Sequence, residues 1–114
     1  MALNVYYLDD ELGLCENFED WFSSADVNVK TFTDAQNAID AIRAHPPDIL
    51  FIDYRLVGTT GDVVAQSLNA NFPIYLVTGD ISAKTTFEFK KVILKPYSEK
   101  EIFGILEALA GSSV

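Results

Sequence analysis

Four apolar runs in this chain stop on residues able to do chemistry. Leu3 to Leu8 gives way to Asp9, Asp10 and Glu11. Ile49 to Ile52 ends on Asp53, Ile74 to Val77 on Thr78-Gly79, and Val92 to Leu94 on Lys95-Pro96. Crowded carboxylates repel one another and are stable together with a cation, and hard oxygen ligands suit Mg²⁺. A carboxylate beside Mg²⁺ can act as a nucleophile toward phosphorus, giving an aspartyl phosphate. The phosphoryl oxygens then need compensating charge, which a metal and a lysine supply. A threonine hydroxyl can hydrogen-bond one of those oxygens and so register the phosphate. Taken singly, each residue has a plainer use. An acid at a strand end more often caps a helix or forms a turn, a lysine more often faces solvent, and Thr-Gly is more often a turn. Complementary groups at four strand ends together are poorly explained that way.

The runs themselves read as strands, and the stretches between them read as helices. Val27 to Phe32 alternates as a fifth strand should, whereas the continuous run at Ile49 to Ile52 fits a strand covered on both faces. Leu14, Cys15, Phe18 and Phe22 form a helical stripe, and so do Ala35, Ala38, Ile39 and Ile42, with Thr33 or Asp34 as cap and Pro46-Pro47 as stop. Gly58 and Gly61 mark a loop, and Val64 with Leu68 suggests a helix over about residues 62 to 70. Ser98 and Glu101 make a capping-box pair before a helix that buries Ile102, Ile105, Leu106 and Leu109. Five strands alternating with four clear helices and one doubtful one imply a parallel sheet with helices on both faces and right-handed crossovers. In such a sheet, ligands bind in the crevice beyond the carboxyl ends of the strands. All four chemical strand ends then meet at one edge.

Composition narrows the function. At 114 residues the chain is sized for one domain and one core. Eight Lys+Arg against 17 Asp+Glu leave a net charge of -9, which disfavours direct binding to nucleic acid or anionic membrane. Cys15 is the only cysteine, so no internal disulfide can form, and a reducing compartment is expected. No run approaches the ~20 apolar residues of a membrane span, and the start lacks the features of a signal peptide. The expected location is the cytoplasm.

The segments "LDDE", "ILFIDYRL" with Gly61 eight residues past Asp53, "LVTGD" and "ILKPY" occur in order across nearly the whole chain. In these it resembles the receiver domain of bacterial two-component response regulators, of the chemotaxis-regulator kind. The resemblance implies a flavodoxin-like three-layer α/β/α sandwich with strand order 2-1-3-4-5, and a single receiver domain over residues 1–114. It implies that Asp53 accepts a phosphoryl group from a phosphohistidine of a sensor histidine kinase or phosphotransfer protein, and that a downstream protein effector reads the change. Asp9, Asp10 and Asp53 match the Mg²⁺ site, Asp10 as a direct ligand, with the backbone carbonyl of Arg55 completing the shell and Glu11 peripheral. Thr78 matches the hydroxyl switch and Lys95 the phosphate-pairing lysine. Gly79 and Pro96 support them, Pro96 after a cis peptide bond that aims Lys95 into the site. Catalysis is confined to the domain's own phosphorylation and dephosphorylation.

The chain departs from the family at several positions. Val57 stands where a proline is usual, and Val92 where an aromatic switch residue is usual, so coupling to Thr78 is absent or rebuilt from Tyr97, Phe87 or Phe89. "DISAKTTFEFKK" lacks a helical stripe, which predicts a short or irregular fourth helix. Arg55 and Asp80 lie near the expected phosphate and could tune its lifetime. These departures sustain an alternative, a pseudo-receiver that binds partners without phosphorylation. Two other readings fit worse. Asp53-Tyr54-Arg55 lacks the second acid of haloacid-dehalogenase-type phosphatases, and "DDELGL" would repel the phosphate of a flavin. His45 reads as a surface residue, Cys15 as a small core residue, and Trp21 as partly exposed packing.

Overall fold

The computed structural model describes residues 2–80, 82–83, 85 and 87–112, with Ser112 described by its backbone. Chain order is β1 (Leu3–Leu8), α1 (Leu12–Phe22), β2 (Val27–Phe32), α2 (Ala35–Ala44) and β3 (Ile49–Asp53). A small hairpin, β4 (Arg55–Leu56) and β5 (Thr59–Thr60), follows. The chain then runs through α3 (Gly61–Leu68), β6 (Ile74–Thr78), β7 (Lys91–Leu94) and α4 (Glu99–Ser112). Five strands form a parallel sheet in the order β2-β1-β3-β6-β7. With the hairpin set aside this is the order 2-1-3-4-5 of a flavodoxin-like receiver fold.

Side-chain alternation along each strand divides the core in two. Val5, Tyr7, Ile49, Phe51, Val77 and Ile93 face α1 and α4, meeting Cys15, Phe18, Phe22, Ile102 and Leu106. Tyr6, Leu8, Leu50, Ile52, Ile74 and Leu76 face α2 and α3, meeting Ala38, Ile42, Val64 and Ala65. Every residue of β3 is buried, as expected of a strand covered on both sides.

Local signals set the helix starts. Asp34 caps α2 by accepting from the Asn37 N–H at 2.8 Å. The Ser98 hydroxyl accepts from the Glu101 N–H at 3.1 Å, one half of the anticipated capping box. The Glu101 carboxylate meets Lys91 at 3.2 Å.

Two features differ from simple periodicity. The loop after Asp53 is a two-residue-strand hairpin turning at Gly58, whose φ of 77° favours glycine. The doubtful fourth helix is irregular: no residue between β6 and β7 is helical among those described, and Ile81, Lys84 and Thr86 lie outside the described residues. Phe87 and Phe89 pack against each other and against the α2/α3 core, while Val92 and Leu94 on β7 each remain 50% exposed.

Gly61 shows how tightly the chain closes behind Asp53. A Cβ there would fall 2.3 Å from the Asp53 carbonyl oxygen and 3.3 Å from a Leu76 methyl, and its N–H already donates to the Tyr54 carbonyl at 2.7 Å. Gly61→Ala should therefore cost about 2–3 kcal/mol in urea unfolding. A loss near zero would mean the backbone can slide without consequence.

Candidate functional site

Parallel strands that end in register place their following residues side by side. Leu8 lies beside Ile52, Asp53 beside Val77, and Thr78 beside Leu94. Asp9, Asp10, Asp53, Thr78 and Lys95 thus share one edge of the sheet. A cleft of about 710 Å³ opens there, lined by Asp10, Glu11, Asp53, Arg55, Thr78, Gly79, Asp80, Ser82 and Lys95. The sequence-predicted residues come together; Asp9 lies beneath the cleft floor and Pro96 outside the lining.

Asp9 is fully buried, and both its oxygens are engaged. One accepts from the Glu11 N–H at 3.0 Å; the other accepts from the Tyr7 hydroxyl at 3.0 Å and the Lys95 ammonium at 2.7 Å. Glu11 is the cap residue just before α1, and it is its backbone N–H, not its carboxylate, that meets Asp9. Asp10 is exposed. Asp53 is only 7% exposed and accepts from the Tyr54 N–H at 2.9 Å, with Lys95 3.4 Å away. Lys95 therefore pairs more closely with Asp9 than with the central Asp53, a detail no strand-end pattern reveals.

Burial, and then the charge of Asp9, push the Asp53 carboxyl up to about 6; Lys95 and the Tyr54 N–H oppose them. Burial alone would lower the Lys95 ammonium, but its bonds to Asp9 and Asp53 outweigh that and raise it. Burial, then Asp9, raises the Tyr7 phenol, and burial raises Tyr97. Cys15, pushed up to about 11 by burial and then by Asp9, donates its thiol proton to the Asp9 carbonyl at 3.3 Å and is a core residue.

Carboxylate oxygens of Asp9, Asp10 and Asp53 lie within 4.8 Å of one another. Three hard, anionic oxygen donors, one on an exposed residue, fit a partly hydrated Mg²⁺. On the rim, the Thr78 hydroxyl accepts from the Asp80 N–H at 3.0 Å. The exposed Arg55 guanidinium forms an ion pair with Asp80 across the cleft mouth, and Ser82 also binds Asp80. The hydroxyl of Ser82 first, and then Arg55, hold the Asp80 carboxyl below its usual range. The Lys95–Pro96 peptide is cis, as expected. His45 is exposed at the end of α2, and Trp21 is 42% exposed, edge-on to Tyr97 at 6.5 Å.

Tyr7 was not among the residues singled out from sequence. Its signal was there: it precedes Asp9 by two and so shares a strand face with it. Among the described residues, the cavity beside Thr78, lined by Leu76, Ala83, Thr85, Val92 and Leu94, contains no aromatic ring. Tyr97 instead lies on the opposite side of the sheet with Phe18 and Trp21.

The sequence model of the family described as "Response regulator receiver domain" matches residues 5–107. Among curated proteins, no match is found. Solved structures with the same fold include a CheY-like response regulator receiver domain from Methylobacillus flagellatus. It is 18% identical with a TM-score of 0.83, over 96% of this chain and 99% of that one. The signal receiver domain of an HD domain-containing protein from Pseudomonas fluorescens Pf-5 is 15% identical, with a TM-score of 0.87 over 98% and 97% of the two chains. The chemotaxis response regulator CheY4 of Vibrio cholerae is 18% identical, with a TM-score of 0.81 over 96% and 99%. At these identities the structural likeness carries the fold.

Proposed function

The chain belongs to the response regulator receiver domain family, and we propose on that footing that Asp53 accepts a phosphoryl group in a two-component phosphorelay. The donor is a phosphohistidine on a sensor histidine kinase or phosphotransfer protein, and the output is altered binding of a downstream protein effector. One observation supports this above the others. A carboxylate is held at the floor of an open cleft with two further carboxylates and an ammonium within reach.

Asp10 and Asp53, with the backbone carbonyl of Arg55, would hold Mg²⁺ directly, and Asp9 would hold it from beneath. Bound there, Mg²⁺ would neutralise charge on the phosphoryl oxygens. An oxygen of Asp53 attacks phosphorus in line; the new P–O bond forms as the P–N bond of the donor breaks, and the imidazole leaves with the electron pair. Lys95 balances the charge on the transferred group. Thr78 turns its hydroxyl from the Asp80 N–H to a phosphoryl oxygen, and the stretch that follows it shifts between two arrangements. Gly79 and Pro96 flank these two groups. The full span 1–114 acts as one receiver domain, working in the cytoplasm. Among the described residues no helix is long and apolar enough to cross a membrane.

Intact mass after incubation with acetyl phosphate tests the reading. One phosphoryl per chain, formed with Mg²⁺ and suppressed at least about tenfold by chelation, is the expected result. No adduct under rapid quenching, together with no beryllofluoride binding, would replace it with the pseudo-receiver, a binding module indifferent to phosphate.

A further inference from the structure

A buried carboxylate cannot release a cationic partner freely, because it would be left desolvated and unpaired. Lys95 faces that constraint. It sits 2.7 Å from Asp9 and 3.4 Å from Asp53, yet a phosphoryl group on Asp53 needs its charge. Asp9 is fully buried, so water offers it little when Lys95 moves.

Tyr7 supplies what is missing. Its hydroxyl donates at 3.0 Å to the same Asp9 oxygen that Lys95 holds. A carboxylate cannot donate, so the one phenolic proton faces Asp9. The Tyr7 ring is fully buried and stacked on Phe18 at 4.3 Å and 14°, which fixes the hydroxyl in place. The second Asp9 oxygen keeps the Glu11 N–H throughout.

The geometry points to Tyr7 as a positioning residue that keeps Asp9 hydrogen-bonded when Lys95 leaves it, and so frees Lys95 to pair with the group on Asp53. This rests on the phosphoacceptor reading above. Tyr7 touches neither the phosphoryl group nor the metal; it acts through Asp9. Without its hydroxyl, the Asp9 oxygen has Lys95 as its one remaining donor and holds it back.

Tyr7→Phe deletes one oxygen and retains the stacked ring. With Mg²⁺ saturating, phosphorylation of Asp53 by acetyl phosphate should slow about tenfold, the scale of one hydrogen bond to a charged group. Calorimetric Mg²⁺ affinity should change much less than the rate, since Asp10 and Asp53 are untouched and Asp9 keeps its charge. A readout independent of turnover is the ¹⁵N signal of the Lys95 ammonium. In the parent protein beryllofluoride should move it, and in Tyr7→Phe it should stay near its unliganded position. In an Asp9→Asn background, adding Tyr7→Phe should leave that signal unchanged. A parental rate and a parental Lys95 shift in Tyr7→Phe would overturn the inference, as would an equal effect in the Asp9→Asn background. A parent that takes up neither phosphoryl nor beryllofluoride would instead sink the phosphoacceptor reading, and this inference with it.

Discussion

Asp53→Asn should lose the phosphoryl adduct and yet gain stability in metal-free buffer. The loss follows because an amide has no nucleophilic carboxylate oxygen to offer phosphorus. The gain follows from the environment of Asp53. Burial and the neighbouring Asp9 raise its carboxyl from 3.8 to about 6. A raised acid binds more protons folded than unfolded between those values, so stability falls as pH climbs from about 4 to about 6 and stays lower above. Two units correspond to roughly 3 kcal/mol at most, with the attraction to Lys95 already included in the shift. The variant should therefore melt several degrees above the parent at pH 7, with the gap closing toward pH 4. Saturating Mg²⁺ should narrow the gap by compensating the parent's charge. Melting curves with chelator across pH 4–8 check this. A gap that is absent at pH 7, or that opens toward acid, would contradict the placement of Asp53 beside Asp9 in a largely desolvated floor.

Lys95→Met should damage both stability and chemistry, and the two losses should be separable. Asp9 is wholly buried and has Lys95 at 2.7 Å as a cationic partner. Removing one member of a buried pair typically costs about 3 kcal/mol, because the survivor stays charged without compensation. The rate of phosphorylation should fall about 10²-fold, the usual effect of losing one group that stabilises developing oxyanion charge. Asp9→Asn added to Lys95→Met should restore much of the stability, since the fully buried Asp9 charge is gone, and none of the rate. Urea unfolding and acetyl phosphate kinetics on the single and double variants decide the matter. Recovery of rate together with stability would show that Lys95 acts by holding the fold and not on the phosphoryl group.

Much of this architecture is readable from the chain because strand ends punctuate it. A run such as Ile49 to Ile52, between a proline stop and a glycine-marked loop, fits a strand covered twice, and the polar residue that follows then emerges at the sheet's carboxyl edge. Other features escape for physical reasons. Two-residue strands such as Arg55–Leu56 and Thr59–Thr60 are too short to show a period. The preference of Lys95 for Asp9 over Asp53 is a difference of 0.7 Å between the 2.7 Å and 3.4 Å contacts, set by how far each carboxylate is sunk in the core. Tyr7 hides inside an otherwise β-prone apolar run, where a phenol reads as packing until its hydroxyl is seen against Asp9. The exposed Val92, where an aromatic is usual in the family, was readable as a departure. That Phe87 and Phe89 turn instead into the α2/α3 core was not, because nothing in their spacing fixes a face.

The short β7 strand also bears on how copies of the protein behave in a crowd. An edge strand offers unpaired backbone groups to any neighbour, and here its bare side adds Val92 and Leu94. Lys90 and Lys91 stand at its start, charged side chains of the kind that blunt an edge. The net charge of -9 gives every copy the same sign and adds a longer-range repulsion at neutral pH. That colloidal protection fades toward the isoelectric point near pH 4.3, where the β7 edge is left open to association.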